Sequence, residues 1–111
     1  MDEPEVKERI RKQMEGQGYR LKTEPPVLDT DREVILDFYA WREGDTPDVV
    51  WIECKGDVNV SELLEGWVRT AFATYQGGGR GMLVAPAKSI ARLERYGDFL
   101  KGAPHVALVG V

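Results

Sequence analysis

Thiols and imidazoles are almost absent from this chain. Its 111 residues hold one cysteine, Cys54, and one histidine, His105. A lone cysteine excludes an internal disulfide framework and fits a reducing compartment, so a cytoplasmic protein is expected. One cysteine and one histidine cannot build a His/Cys metal cluster. His105, at the entrance of the last apolar run, reads as a surface residue rather than a general base. No apolar run approaches the ~20 residues of a membrane span, and no signal-peptide pattern opens the chain. Positive charge is also short: 15 Lys and Arg against 19 Asp and Glu give a net −4. That excludes attachment to a polyanion by bulk charge but leaves room for a local basic patch. What remains, 42% hydrophobic and 31% charged, is the composition of a folded soluble domain. The length fits a single domain over 1–111 with one modest core.

The most informative stretch is 51–57. Trp51, Glu53 and Lys55 alternate with Ile52 and Cys54, the period of a strand with one charged and one apolar face. Upstream, 33–41 is a second strand candidate, and 42–48 between them is dense in turn formers. An antiparallel hairpin centred on Asp45 sets Asp37 opposite Glu53, Tyr39 opposite Trp51, Trp41 opposite Val49 and Ile35 opposite Lys55. The even positions Val34, Leu36, Phe38, Ala40, Val50, Ile52 and Cys54 then make a wholly apolar face. The odd face gathers Asp37, Glu53 and Lys55. A slip of one residue would mix the faces, so the pattern itself argues for the register. Two facing carboxylates repel unless a cation lies between them. Oxygen ligands suit a hard divalent ion such as Mg²⁺ or Mn²⁺. Lys55 could orient water there or balance developing charge. The same residues also fit a plain cross-strand salt bridge of Asp37 or Glu53 with Lys55.

The rest of the chain supplies helices and further strands. Asp2 or Glu3 caps a first helix with Pro4 in its first turn, and Val6, Ile10 and Met14 form a narrow apolar stripe. Lys7, Arg9, Arg11 and Lys12 read as a solvated face or as phosphate contacts; Gly16 and Gly18 end the helix. A strand over 19–23 is broken by Pro25 and Pro26, and 28–32 reads as a turn, as do Pro47 and Asp48. Ser61 caps the strongest helix, with Leu63, Leu64, Trp67, Val68, Ala71, Phe72 and Tyr75 as its apolar face. Glu65 and Arg69 are spaced as an i, i+4 surface pair on its polar side, beside Thr70. The glycine-rich 76–81 is a loop with Arg80 at its tip, and 82–85 a buried central strand. Ser89 caps a last helix, with Ile90, Leu93, Gly97 and Leu100 facing inward, and 106–109 is the final strand. The order αβββαβαβ predicts an α/β domain with a mixed sheet flanked by helices.

Asp37, fifteen intervening residues, then Glu53-Cys54-Lys55 resemble the D…(D/E)-x-K signature of the PD-(D/E)xK nuclease superfamily. That superfamily includes many restriction endonucleases, archaeal Holliday-junction resolvases and RecB-type exonuclease domains. The element order resembles its common core across nearly the whole chain. The resemblance implies a restriction endonuclease-like three-layer α/β/α fold. It also implies a metal-dependent nuclease that hydrolyses phosphodiester bonds of nucleic acid, DNA rather than RNA. Asp37 and Glu53 would hold Mg²⁺ or Mn²⁺, with the carbonyl of Cys54 as a further ligand, and Lys55 would position or activate water. In such proteins a first-helix glutamate often faces the metal; Glu8 is the nearest candidate and Glu5 the second. Lys7, Arg11, Arg69 and Arg80 are the candidate nucleic-acid contacts. RecB-like members carry a polar residue, often glutamine, and a tyrosine in the helix after the motif. Tyr75 is similar to the tyrosine, whereas Arg69 or Thr70 stands where the glutamine would be. So small a domain is expected to work as a homodimer or within a larger complex. The alternatives are a non-catalytic nucleic-acid-binding module and a protein-assembly module on the same fold.

Overall fold

The structure, a computed structural model, describes residues 1–24, 26–28, 33–44 and 48–111. Asp2 opens the first helix, α1 (Glu3–Gly16), its carboxylate accepting the Glu5 N–H at 3.0 Å. The strands β1 (Arg20–Thr23), β2 (Pro26–Leu28), β3 (Glu33–Ile35), β4 (Phe38–Arg42) and β5 (Asp48–Cys54) follow. Then come α2 (Val60–Gly77), β6 (Arg80–Ala85), α3 (Ala87–Leu93), a 3-10 turn (Glu94–Tyr96), α4 (Gly97–Leu100) and β7 (Val106–Gly110). None of the described helices is long and apolar enough to cross a membrane.

The result is a mixed α/β fold. Five strands form one sheet in the order β1-β4-β5-β6-β7, antiparallel from β1 to β5 and parallel from β5 to β7. On one face, Val6, Ile10 and Met14 of α1 are fully buried against Phe38, Ala40, Val50, Ile52, Cys54 and Val84. On the other, Leu63 and Trp67 of α2 and Ile90 and Leu93 of α3 pack on Leu83, Ala85 and Val106. Because β6 is covered on both faces, its run of apolar residues needs no alternation, as in central parallel strands. The β4–β5 register is the one the alternation predicts: Tyr39 faces Trp51 and Trp41 faces Val49.

Several sequence expectations give way. The strand predicted over 33–41 splits in two, because β3 pairs with β2 in a separate two-stranded sheet. Ile35 is therefore the partner of Pro26 rather than of Lys55, and it is 45% exposed. Leu36, expected on the α1 face, crosses to the other side and packs with Trp51 and Ala73. Pro26 begins a strand instead of merely ending one. Pro25, the turn at 29–32, the side chain of Val34 and the hairpin tip at 45–47 lie outside the described residues.

The helix α2 starts from Asn59, whose side chain accepts the Glu62 N–H at 2.9 Å, so Ser61 is already inside it. It is also rotated from expectation. Val68 and Tyr75 are exposed, Tyr75 by 85%, whereas Gly66, Thr70 and Thr74 are buried. Small residues let the helix press on β6: a Cβ on Gly66 would lie 3.0 Å from Leu83 Cδ1, and one on Gly81 would lie 2.6 Å from Thr70 Cγ2. The buried Thr70 hydroxyl is satisfied by donating to the Gly66 carbonyl at 2.8 Å. Ser89 does not cap the last helix; it is buried inside α3, behind Pro86. The helix itself breaks into three short turns, the last beginning at Gly97.

Candidate functional site

Gly56, directly after the Glu53-Cys54-Lys55 run, lets two backbones meet. A Cβ there would stand 2.7 Å from the Glu3 nitrogen, so the first turn of α1 rests on the end of β5. The Asp57 N–H donates to the Met1 carbonyl at 3.1 Å and fastens the same junction. One turn further on, Lys7 Nζ reaches Asp37 Oδ1 at 3.0 Å.

Asp37 stands just before β4. Its N–H donates to the Ile52 carbonyl at 3.1 Å, its carbonyl accepts from Glu24 at 3.0 Å, and its Oδ2 accepts the Cys54 N–H at 2.6 Å. These bonds fix the carboxylate at the end of β5. Glu53, only 5% exposed, turns its carboxyl to the same place, where it and Asp37 shift one another's pKa. Two carboxyls so close favour holding a proton between them. Burial, then the hydrogen bond to and charge of Asp37, push the Glu53 pKa well up, against the pull of Arg69 and Lys55. Burial acts on Asp37 in the same sense, but hydrogen bonds from Glu53, the Cys54 N–H and Lys7 outweigh it and hold its pKa down. The surroundings thus push the two acids apart, Asp37 toward its carboxylate and Glu53 toward its acid form.

Three cations surround it. Lys7 is held by Asp37, which raises its pKa and keeps it charged. Arg69 Nε lies 3.4 Å from Glu53 Oε2, an ionic contact without hydrogen-bond geometry, while its terminal nitrogen donates to the Ile35 carbonyl at 2.9 Å. Arg69 therefore turns from its expected partner Glu65 to Glu53. Lys55 runs beside Glu53 above Gly66: a Cβ at 66 would lie 3.1 Å from Lys55 Cε and 3.5 Å from Glu53 Cγ. Among the described residues Lys55 makes no ion pair, so the plain salt bridge to Asp37 or Glu53 is not formed.

The other candidates fall elsewhere. Glu8 shares with Asp37 a cleft of about 610 Å³, but its carboxylate is clasped by Arg11 at 2.7 Å, with Lys12 at 3.7 Å. Arg11 lowers the Glu8 pKa, and Glu8 does not join the acid pair. Glu5 is exposed and serves the helix cap through its N–H. The described residues hold no cluster of three or more His, Cys, Asp or Glu side chains placed for a metal. The Cys54 thiol faces the α1 core, where burial raises its pKa. Its backbone is the part that meets Asp37. A strand residue's N–H and C=O point to the same side, so the Cys54 carbonyl is directed toward Asp37 too.

Arg80 corrects an expectation outright. It is not a loop tip but the first residue of β6, where it grips Asp48 at 3.1 and 2.8 Å and the Tyr19 hydroxyl at 2.9 Å. Tyr19 in turn donates to Asp48. Asp48 lies five residues from Glu53 along β5, roughly 17 Å at strand rise. His105 is exposed, as expected, and contacts the Thr74 hydroxyl at 2.6 Å.

Sequence reasoning missed Lys7 and Arg69 as partners of the acid pair. Lys7 had no signal in the sequence, because its reach depends on how Gly56 admits the end of α1. Arg69 had none, because its rotation depends on how α2 seats on β6.

The donors present are of the kind a hard divalent ion takes: two neighbouring carboxyls that shift one another's pKa, and a backbone carbonyl directed alongside. No protein-family model matches the chain, and no curated protein matches it. Among solved structures, the chain is similar to a crystal structure described as a protein of unknown function, AF1548. The TM-score is 0.61 at 18% identity, over 94% of this chain and 55% of that one. The chain thus spans about half the length of this neighbour, and the likeness is one of fold alone.

Proposed function

We infer that the chain is a metal-dependent nuclease of the restriction endonuclease-like kind, acting on phosphodiester bonds of DNA rather than RNA. One observation carries the reading. Asp37 and Glu53, sixteen positions apart in a motif-like spacing, meet at the matched ends of β4 and β5 with Lys55 on the same side of Glu53. A pair of acids whose environments drive their pKa values in opposite directions is a hallmark of functional sites.

Asp37, Glu53 and the Cys54 carbonyl would hold Mg²⁺ or Mn²⁺; such an ion supplies Lewis acidity, balancing charge on a phosphate and making water more acidic. Lys55 donates hydrogen bonds to water or to a phosphate oxygen beside Glu53. Arg69 has an Nε–H without an acceptor among the described residues and lies beside Glu53, where it could turn to a phosphate. Lys7 holds Asp37 ionised. A second copy or a larger assembly would complete the substrate surface of so small a domain.

A different observation favours a non-catalytic module on the same fold. Lys7 and Arg69 already face both acids, so the cluster can serve as an internal ion network. Incubation with labelled DNA and RNA (duplex, single-stranded and branched) with and without Mg²⁺ or Mn²⁺ separates the two. Metal-dependent cleavage is expected; no turnover of any substrate with either ion would leave the binding module.

A further inference from the structure

Beyond α2 the sheet carries a second group of side chains. The helix lies over β5, β6 and β7, and among the described residues the same face of β1 and β4 is left partly open. Residues paired across antiparallel strands share a face. The pairs Arg20–Trp41 and Lys22–Tyr39 therefore set two exposed cations beside two half-buried aromatic rings. Tyr39–Trp51 and Trp41–Val49 continue the row onto β5. The rings are contiguous, with centroids 5.8 Å apart for Tyr39–Trp41 and 4.7 Å for Tyr39–Trp51. Trp51 is pinned by its Nε1–H bond to the Gly78 carbonyl at 3.1 Å, and Tyr39 packs against the Leu36, Trp51 and Ala73 cluster. The platform is thus preset. It borders a cavity of about 390 Å³ rimmed by Lys22, Arg42, Glu43 and Asp48.

We propose that this face binds single-stranded DNA, with bases stacked on Trp41 and Tyr39 and phosphates on Arg20 and Lys22. The chemistry selects a single strand, and DNA over RNA is taken from the nuclease reading. An aromatic row flanked by cations offers π-faces to bases and charge to the backbone, and bases expose their own faces only when unpaired. Of the two acids at the rim, Asp48 has both oxygens engaged by Arg80, so its charge is compensated; Glu43 remains. The face is also continuous with the acid pair: Tyr39 is two residues from Asp37, and Trp51 two from Glu53, on the order of 7 Å along each strand. A strand stacked here would lead to that pair, a consequence that rests on the nuclease reading; the binding itself does not.

The test is tryptophan fluorescence titration with a deoxythymidine oligomer in EDTA, beside a duplex and a ribouridine oligomer, with cleavage of all three in Mn²⁺ assayed separately. Saturable quenching is expected, tightest for the deoxy oligomer. Trp41→Ala should weaken binding roughly 10-fold, within the range for losing one stacked base. Lys22→Ala, at an exposed position, should leave the melting temperature unchanged and flatten the salt dependence by about 0.7 in log–log slope, one single-strand phosphate contact. Equal or tighter binding of the duplex, or full affinity in both variants, would overturn the platform. Tighter ribouridine binding would overturn its assignment to DNA. Cleavage without platform binding would refute this inference and leave the nuclease standing. Binding without any metal-dependent cleavage would do the reverse.

Discussion

The two ends of β5 solve the problem of a carboxylate near cations in opposite ways. At the start of the strand, Asp48 takes two bonds from Arg80 and one from Tyr19. The Arg80 hydrogen bonds lead in lowering its pKa to about 2. Asp48 and Arg80 balance one another there, and their pairing is complete as it stands. At the far end, Asp37 and Glu53 compete for the same space, and one must carry a proton that a solvated glutamate would lose at neutral pH. The first end is a finished structural tie. The second sets two acids side by side, with Lys7 and Arg69 as their ion-pair partners. That contrast, more than the presence of acids, is why the Glu53 end is the proposed site.

The largest effect that would separate the ends is on cleavage. Asp37→Asn and Glu53→Gln should each reduce metal-dependent cleavage by roughly 10²–10³ or more, the scale of losing a preorganised electrostatic group. Glu53→Gln should not lower the melting temperature of the metal-free protein, because an amide replaces an acid that is already neutral. Normal cleavage by either variant would dissolve the distinction.

Lys55→Ala comes next. Its cleavage rate should fall by roughly 10², with metal affinity and folding largely kept, since Lys55 makes no ion pair among the described residues. Early melting with normal cleavage per folded molecule would make Lys55 architectural instead.

The smallest effect belongs to the other end. Asp48→Asn should cost about 1 kcal/mol of stability, the upper part of the range for partly exposed pairs because the grip is bidentate. Cleavage should be unchanged. The pH dependence has a definite sign. Asp48 titrates at about 2 in the fold against an ordinary 3.8, so its contribution is whole above about pH 4 and is lost as the pH falls through about 2. Acid denaturation of wild type and Asp48→Asn should therefore converge below that window. Curves that stay parallel would contradict the pairing.

The contrast between the ends was only half legible in the sequence. Alternation along 37–41 and 49–55 carried the register, since any slip would have buried charge or exposed the apolar set, and so brought Asp37 to Glu53. Local patterning could not show what lay across the fold. The run from Val34 to Leu36 reads as one strand with 38–41, and only the pairing of β3 with β2 interrupts it. Arg80 looked like a loop residue because its partner Asp48 is 32 positions away. Tyr75 matched a helical stripe, but α2 settles on Gly66 and Thr70, where it can approach β6 most closely, and that rotation sends Tyr75 to solvent. The same rotation brings Arg69 to Glu53. Lys7 reaches Asp37 because Gly56 admits the helix end, a contact no spacing encodes.

The central claim, that Asp37 and Glu53 form an oxygen site for a divalent cation, is most directly tested by calorimetric titration of Mn²⁺ into the wild type and Asp37→Asn. Repeating it in buffers of different ionisation enthalpy counts the protons released. Saturable binding in the wild type should release about one proton, the one shared by the pair, as metal displaces it from its ligands. Asp37→Asn should bind far more weakly. Equal affinity in the two proteins, or binding with no proton release, would contradict the account.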